Sequence, residues 1–284
     1  MSEDTAGALS AQELLELPYS RRRIIVVSDD QKATPAPSPS SSPGSRTLRT
    51  VFPALAIGLL PAGILAANLA IELVKASKEM RQGGEDLLTV SSAAALQLTV
   101  PVGHPRKKVA YIGHPVEPKV YIPVADFHRF LFEHKVAEAL RTIRSLGAVT
   151  IEVSRVEGWD QSVGVNLAAA VPAATPVDVG ASATRERRKG HLVLSTMRLT
   201  PTSPPALPGN LVWLPHEPLW QEIAQARLES GLDSFVLDVR TSDDYGVNAG
   251  LKALIAKAGL EFGGSYVEHR DTVWRLQGTF SPAH

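Results

Sequence analysis

Two stretches of this chain, residues 120–200 and 212–281, run through the same order of local signals, and this internal duplication constrains the fold most. Val120-Tyr121-Ile122-Pro123 matches Val212-Trp213-Leu214-Pro215, in each case a short apolar segment with an aromatic, closed by proline, that reads as a strand. A helical period follows each segment. In the first copy Phe132, Val136, Leu140 and Ile143 recur at helical spacing, with Phe127 and Leu131 widening the face; in the second Trp220, Ile223, Ala224 and Leu228 do so. Gly147 and Gly231 stand where helix ends need them. Ile151-Glu152-Val153 and Leu237-Asp238-Val239 alternate as half-buried strands do, and Gly164-Val165-Asn166 recurs as Gly246-Val247-Asn248. Small-residue segments (Val179-Gly180-Ala181-Ser182, Phe262-Gly263-Gly264-Ser265) then lead to charged stretches, and the copies close on strands at His191–Leu199 and Thr272–Phe280.

A β-α-β-(variable)-β unit covers one sheet face with its helix and leaves its edge strands open. Two copies pairing edges across a pseudo-twofold axis build a single mixed sheet with both helices on one face, which is an α+β fold. Alternating βαβα periodicity is missing, which argues against a doubly wound nucleotide-binding sheet. After Gly246-Val247-Asn248, residues Leu251, Leu254, Ile255 and Ala258 favour a helix. The first copy's counterpart, Leu167 to Thr175, is alanine-rich and flanked or broken by Pro172 and Pro176, so it reads as a loop or irregular hairpin. Its small apolar residues suit a plain connection or core packing, and also a membrane-inserting hairpin.

Upstream, the sequence divides into a tail over 1–50, a hydrophobic to amphipathic helical segment over 51–81 and a strand-like connector over 82–115. The first repeat then occupies 116–206 and the second 207–284. Thr34 to Ser45 is almost entirely Pro, Ser and Ala, too polar to offset its ordering entropy, and reads as a disordered linker. Within the tail, Ile24 to Val27 behind Arg21-Arg22-Arg23 is a candidate recognition peptide. Residues 51–71 carry no charge, and mean hydropathy over the first 19 is about 1.9, in the transmembrane range. Yet Asn68, Glu72, Lys75 and Glu79 form a polar stripe opposite Leu65, Leu69 and Leu73, so residues 62–81 are also an amphipathic helix. Two readings follow: a helix packed on the protein's own core, or a single-pass or interfacial membrane segment touching lipid through Phe52, Leu55, Ile57, Leu59, Leu60, Ile64 and Leu65. In the second reading the protein is membrane-associated; in the first it is cytoplasmic.

The chemistry is mostly excluded. No cysteine is present, so disulfides, thiolate metal sites and a cysteine nucleophile are ruled out. No P-loop, dinucleotide fingerprint, nucleophile elbow or paired-histidine zinc motif occurs, and no cofactor or metal is expected. Twenty-nine basic side chains balance 29 acidic ones, and aromatics are sparse, which disfavours nucleic acid as a partner. Gly103-His104-Pro105 and Gly113-His114-Pro115 read as two strand-ending turns or, alternatively, as a pair of histidine ligands. On the first repeat's helix, His134 and Glu138 stand one turn apart and could share a metal or a proton, while Asp126 suits a helix cap. The catalytic candidates are His128 and His216, converging at the repeat junction with Asp126 and Glu217. Arg185, Arg187, Arg188 and Lys189 form a solvated run or an anionic-surface contact.

Together these features lead to a membrane-associated, non-enzymatic interaction or effector protein, whose duplicated domain binds a protein partner or self-associates. The alternatives are a membrane-permeabilising, pore-forming effector and a hydrolytic enzyme with a His/carboxylate site at the repeat junction.

Overall fold

The computed structural model describes residues 8–28, 62–158, 187–188, 191–266 and 268–282. Its architecture is α+β, with helices packed on two sheets.

The first described residues lie inside the segment read as a tail. Ser10 caps α1 (Ala11–Glu16) in a capping box: its Oγ accepts the Glu13 N–H, and the Glu13 carboxylate accepts the Ser10 N–H. A short helix α2 (Tyr19–Arg22) leads into β1 (Ile24–Ser28). The remaining strands of the first sheet are β2 (Leu87–Ser91), β3 (Ala110–Gly113) and β4 (Tyr121–Pro123), in the order β2-β1-β3-β4. Strand β1 is parallel to β2 and antiparallel to β3, so the apolar run expected to be a peptide is an inner strand. Its residues alternate between two clusters: Ile24 and Val26 face the main core, while Ile25 and Val27 face a second cluster with Leu14 and Tyr111. A strand buried on both faces is a continuous apolar run, as Ile-Ile-Val-Val is.

Helix α3 (Ala62–Gln82) settles where its apolar stripe goes. Leu69, Leu73, Ala76 and Met80, at i, i+4, i+7 and i+11, are buried in the main core, whereas Ile71 and Val74 face out. Among the described residues no helix is long and apolar enough to cross a membrane, and the single-pass expectation has no support there. The expected lipid contacts Phe52, Leu55, Ile57, Leu59 and Leu60 lie outside the described residues, as do the side chains of Ile64 and Leu65. So do the Thr34–Ser45 linker, Gly164-Val165-Asn166, Leu167–Thr175 and Val179–Ser182. Within the connector, read as strand-like over 82–115, β2 stops at Ser91 and a short helix α4 (Ser92–Ala95) follows it directly.

Helix α5 (Phe127–Ser145) follows β4 and leads to the second sheet. That sheet contains β5 (Ala148–Glu157), β6 (Arg187–Arg188), β7 (His191–Arg198), β8 (Ser234–Thr241) and β9 (Thr272–Phe280). Helix α6 (Pro218–Ser230) precedes β8, and α7 (Ala249–Lys257) precedes β9. Both α5 and α6 pack against β8. Phe235, Leu237 and Val239 on β8, with Trp274, Leu276 and Phe280 on β9, enter the core shared with α3 and α5. At the centre, β5 bulges near Thr150 and its carbonyl presses on Gly278, where a Cβ would come within 1.9 Å of that oxygen.

The repeats are not arranged across the expected twofold. The order is β6-β7-β5-β9-β8 with every pairing antiparallel, so the second sheet is not mixed. The central pair joins β5 to β9, which are not equivalent in the two sequence copies. Equivalent strands, β5 with β8 and β7 with β9, instead stand two places apart and run in the same direction. The two longest strands of the sheet take the centre, where both edges find partners. Strand β4 belongs to the first sheet, and its expected counterpart at Val212–Pro215 is no strand but leads into a 3-10 turn, Leu214–His216.

Candidate functional site

Helix α5 supplies His128, Glu138 and Thr142 to the buried polar residues. Glu138, 1% exposed, accepts three consecutive backbone N–H groups, from Val212 at 2.7 Å, Trp213 at 2.7 Å and Leu214 at 2.8 Å. Three amides turned onto one carboxylate cannot also join a sheet ladder, which is why the second repeat opens with a turn. Glu138 is therefore a tie between the halves and does not share a proton with His134. Arg227 on α6 makes the reciprocal tie at the other end of α5. It donates to the carbonyls of Leu146, Leu232 and Ser281 at 3.0, 2.9 and 2.8 Å and lies over the Phe280 ring.

His134 instead meets His114 and Glu117, whose possible ligand atoms lie within 4.8 Å of one another. The hydrogen bonds assign the protons. His114 Nδ1 accepts from the backbone N–H of Val116 at 3.2 Å and Glu117 at 3.0 Å, so its proton sits on Nε2. That Nε2–H points at His134 Nδ1, 3.4 Å away, which also accepts from the Trp213 indole N–H at 3.3 Å. Burial, with His134 beside it, lowers the His114 pKa to about 3, so the ring stays neutral. A metal on His114 Nε2 would force the proton onto Nδ1, against two N–H groups, and would break both bonds to His134. The trio is closed by its own hydrogen bonds.

His128 forms the contrasting cluster. It is 1% exposed, and its Nε2 donates to the Val247 carbonyl at 2.6 Å. The acceptor belongs to the loop between β8 and α7, where Tyr245 and Gly246 both have positive φ, 50° and 73°. This left-handed pair turns the chain so that Asp244 accepts the Gly246 N–H at 2.8 Å and Asn248 caps α7. With Nε2 protonated, His128 Nδ1 carries a lone pair, and that atom is buried without a hydrogen-bond partner. The His269 ring stands 4.8 Å away, centre to centre. His269 Nε2 faces Asp271 at 3.4 Å, while its Nδ1 is likewise buried and unpartnered. Burial lowers the His128 pKa further than the Val247 bond and Asp244 raise it. The Asp244 carboxylate is held low mainly by the Gly246 N–H, with smaller contributions from Asn248 and both histidines.

The other expected residues scatter. His216 is exposed on the 3-10 turn and does not meet His128; the second half contributes His269 in its place. Glu217 pairs with Lys135, and Asp126, at the cap position of α5, pairs with Arg129 at 2.6 Å and makes no backbone cap. His104 bonds Tyr111 Oη at 2.6 Å, so the two Gly-His-Pro histidines serve separate partners. Arg187 and Arg188 form β6, and Arg185 and Lys189 lie outside the described residues. Two clefts have no histidine in their lining: one of about 70 Å³ beside Lys135, Trp213 and Tyr245, and an open groove of about 470 Å³ between Gly83 and α7.

Sequence reasoning offered His114 as a ligand beside His104 and missed its pairing with His134, as it missed Glu117, Trp213 and His269 as partners, because these contacts form only through tertiary packing. The unpaired His269 in a charged stretch before the last strand was the one available signal. Comparisons with protein-family models, with curated proteins and with solved structures find no match for this chain.

Proposed function

We propose that this chain is an interaction protein that self-associates by adding strand β8 of one copy to strand β8 of a second. The observation that carries the reading is the open edge of β8, which ends the second sheet among the described residues. The Phe280 N–H donates to the Asp233 carbonyl at 2.8 Å, which turns the backbone of the odd-numbered residues toward β9. The N–H and C=O groups of Ser234, Val236 and Asp238 therefore point away from the sheet, a template for another strand. Val236 stands in the middle, 60% exposed. Antiparallel self-pairing about Leu237 opposes Val236 to Asp238, and Ser234 to Arg240, whose carbonyl also accepts from Lys135 Nζ at 2.8 Å, with no like charges facing. In this reading the two sequence copies are successive additions to one sheet, and β8 is where addition stops within a chain.

Val236→Pro tests it. The Val236 N–H faces out, so proline removes a donor from the proposed interface and none from the β8–β9 ladder. Sedimentation over a concentration series is expected to give a dimer for the native chain and a monomer for both Val236→Pro and Val236→Lys. A native chain that stays monomeric, or variants that dimerise equally well, would refute self-association.

A second reading keeps membrane association in a peripheral form. Ile71 and Val74 are 57% and 70% exposed on the outer face of α3, beside exposed Lys75 and Lys78. Ile71 ends the uncharged run 51–71 and Val74 follows just beyond it, and basic residues next to exposed apolar ones favour an anionic lipid surface.

A further inference from the structure

We infer that His128 and His269 bind a divalent transition metal of the zinc class. The inference does not depend on how the chain associates. Neutral imidazole binds such ions through a lone pair while its other nitrogen donates a hydrogen bond that fixes the tautomer. Both rings meet that requirement. His128 Nε2–H is committed to the Val247 carbonyl at 2.6 Å, and His269 Nε2 faces the Asp271 carboxylate at 3.4 Å. Each ring is left with a buried Nδ1 that has no hydrogen-bond partner.

Spacing agrees. With metal–nitrogen bonds of about 2.0–2.1 Å, two imidazoles on one tetrahedral ion stand with ring centres about 5 Å apart. Here the centres are 4.8 Å apart. A buried lone pair without a donor costs free energy, and a cation held by both rings would relieve it at each. Asp244 acts electrostatically on both rings and supplies the negative charge that would offset the ion. The His114–Glu117–His134 trio, whose ligand atoms lie within 4.8 Å of one another, has both facing nitrogens already engaged.

The test is titration of the tag-free full chain with Zn²⁺ by calorimetry, and with Co²⁺ by visible absorption, which reports coordination directly. One ion per chain is expected. His269→Ala and His269→Gln should each weaken binding by about tenfold or more, and Asp244→Asn by less. His134→Ala and His216→Ala should leave it unchanged. Thermal unfolding with and without Zn²⁺ supplies a second readout, with stabilisation of the native chain and none of the His269 variants. The inference fails if the native chain binds no Zn²⁺, if the His269 variants bind it as tightly, or if His134→Ala alone abolishes binding.

Discussion

The two histidine pairs are chemically similar and physically opposite, and the difference comes from where backbone groups point. At His114 two amide donors meet Nδ1, and burial then keeps the ring neutral with its pKa at about 3. At His128 a carbonyl meets Nε2 and leaves the other nitrogen open. The His114 shift has a consequence for acid stability. A ring whose folded pKa lies below its unfolded value of about 6.5 takes up a proton on unfolding, so its contribution is complete above pH 6.5 and falls as pH drops toward 3. The slope is about 1.4 kcal/mol per pH unit for one such group. His104 and His128, both lowered mainly by burial, act in the same direction, and Glu133, raised by burial, acts against them. His114→Asn retains an acceptor at the Nδ1 position and removes the titration. Urea unfolding at pH 7, 6 and 5 should show this variant less stable at pH 7, because the ring's packing is lost. Its loss of stability with acid should be shallower than the native chain's by about 1 kcal/mol per pH unit. Equal slopes would mean that His114 is not the ring responsible.

Elements whose own residues decide their form were legible in the sequence. The period of α5, the alternation in β5 and β8, the closing strand β9 and the helix α7 all follow from local pattern and turn residues. Elements decided from a distance were not. Strand β1 is four apolar residues behind three arginines, and its burial depends on β2 and β3, which lie more than 50 residues downstream. Val212 to Leu214 has the composition of a strand and is held as a turn by Glu138, 74 to 76 residues earlier in the chain. Helix α3 is intermediate: its period gave the stripe, and only packing decided that Leu69, Leu73 and Met80 face protein. Its other face carries the membrane prediction. Flotation with vesicles containing phosphatidylserine should recover the native chain, and Ile71→Ser/Val74→Ser should reduce recovery by about half or more without altering the buried stripe. High salt should weaken recovery, because exposed lysines act through a screened field. A native chain absent from the lipid fraction at low salt removes this reading.

At the scale of the whole molecule, the two sheets share the main core, while the other face of the first sheet has a second cluster of its own. One cluster contains Ile24, Val26 and Ile112 from the first sheet, Phe132 and Ile143 from α5, and Leu237, Trp274 and Leu276 from the second. Arg23 reaches across to the Tyr245 carbonyl at 3.1 Å, and the Ala125 N–H donates to the Phe262 carbonyl at 3.0 Å, so backbone as well as side chains bridge the halves. A chain beginning at Val116 would strip β1, β2, β3 and α3 from that cluster and leave α5 with an uncovered apolar face. The repeat boundaries legible in the sequence are therefore not expected to be folding boundaries. The expected outcome is one cooperative transition, because no half can bury enough surface alone to offset its ordering entropy. Hydrogen exchange through a urea series should show peptides covering residues 24–28 and 272–280 losing protection at the same denaturant concentration. Removal of residues 1–28 should abolish protection in both. Midpoints that separate, or a second sheet that stays protected without β1, would show that the halves fold independently and that the shared cluster is not what couples them.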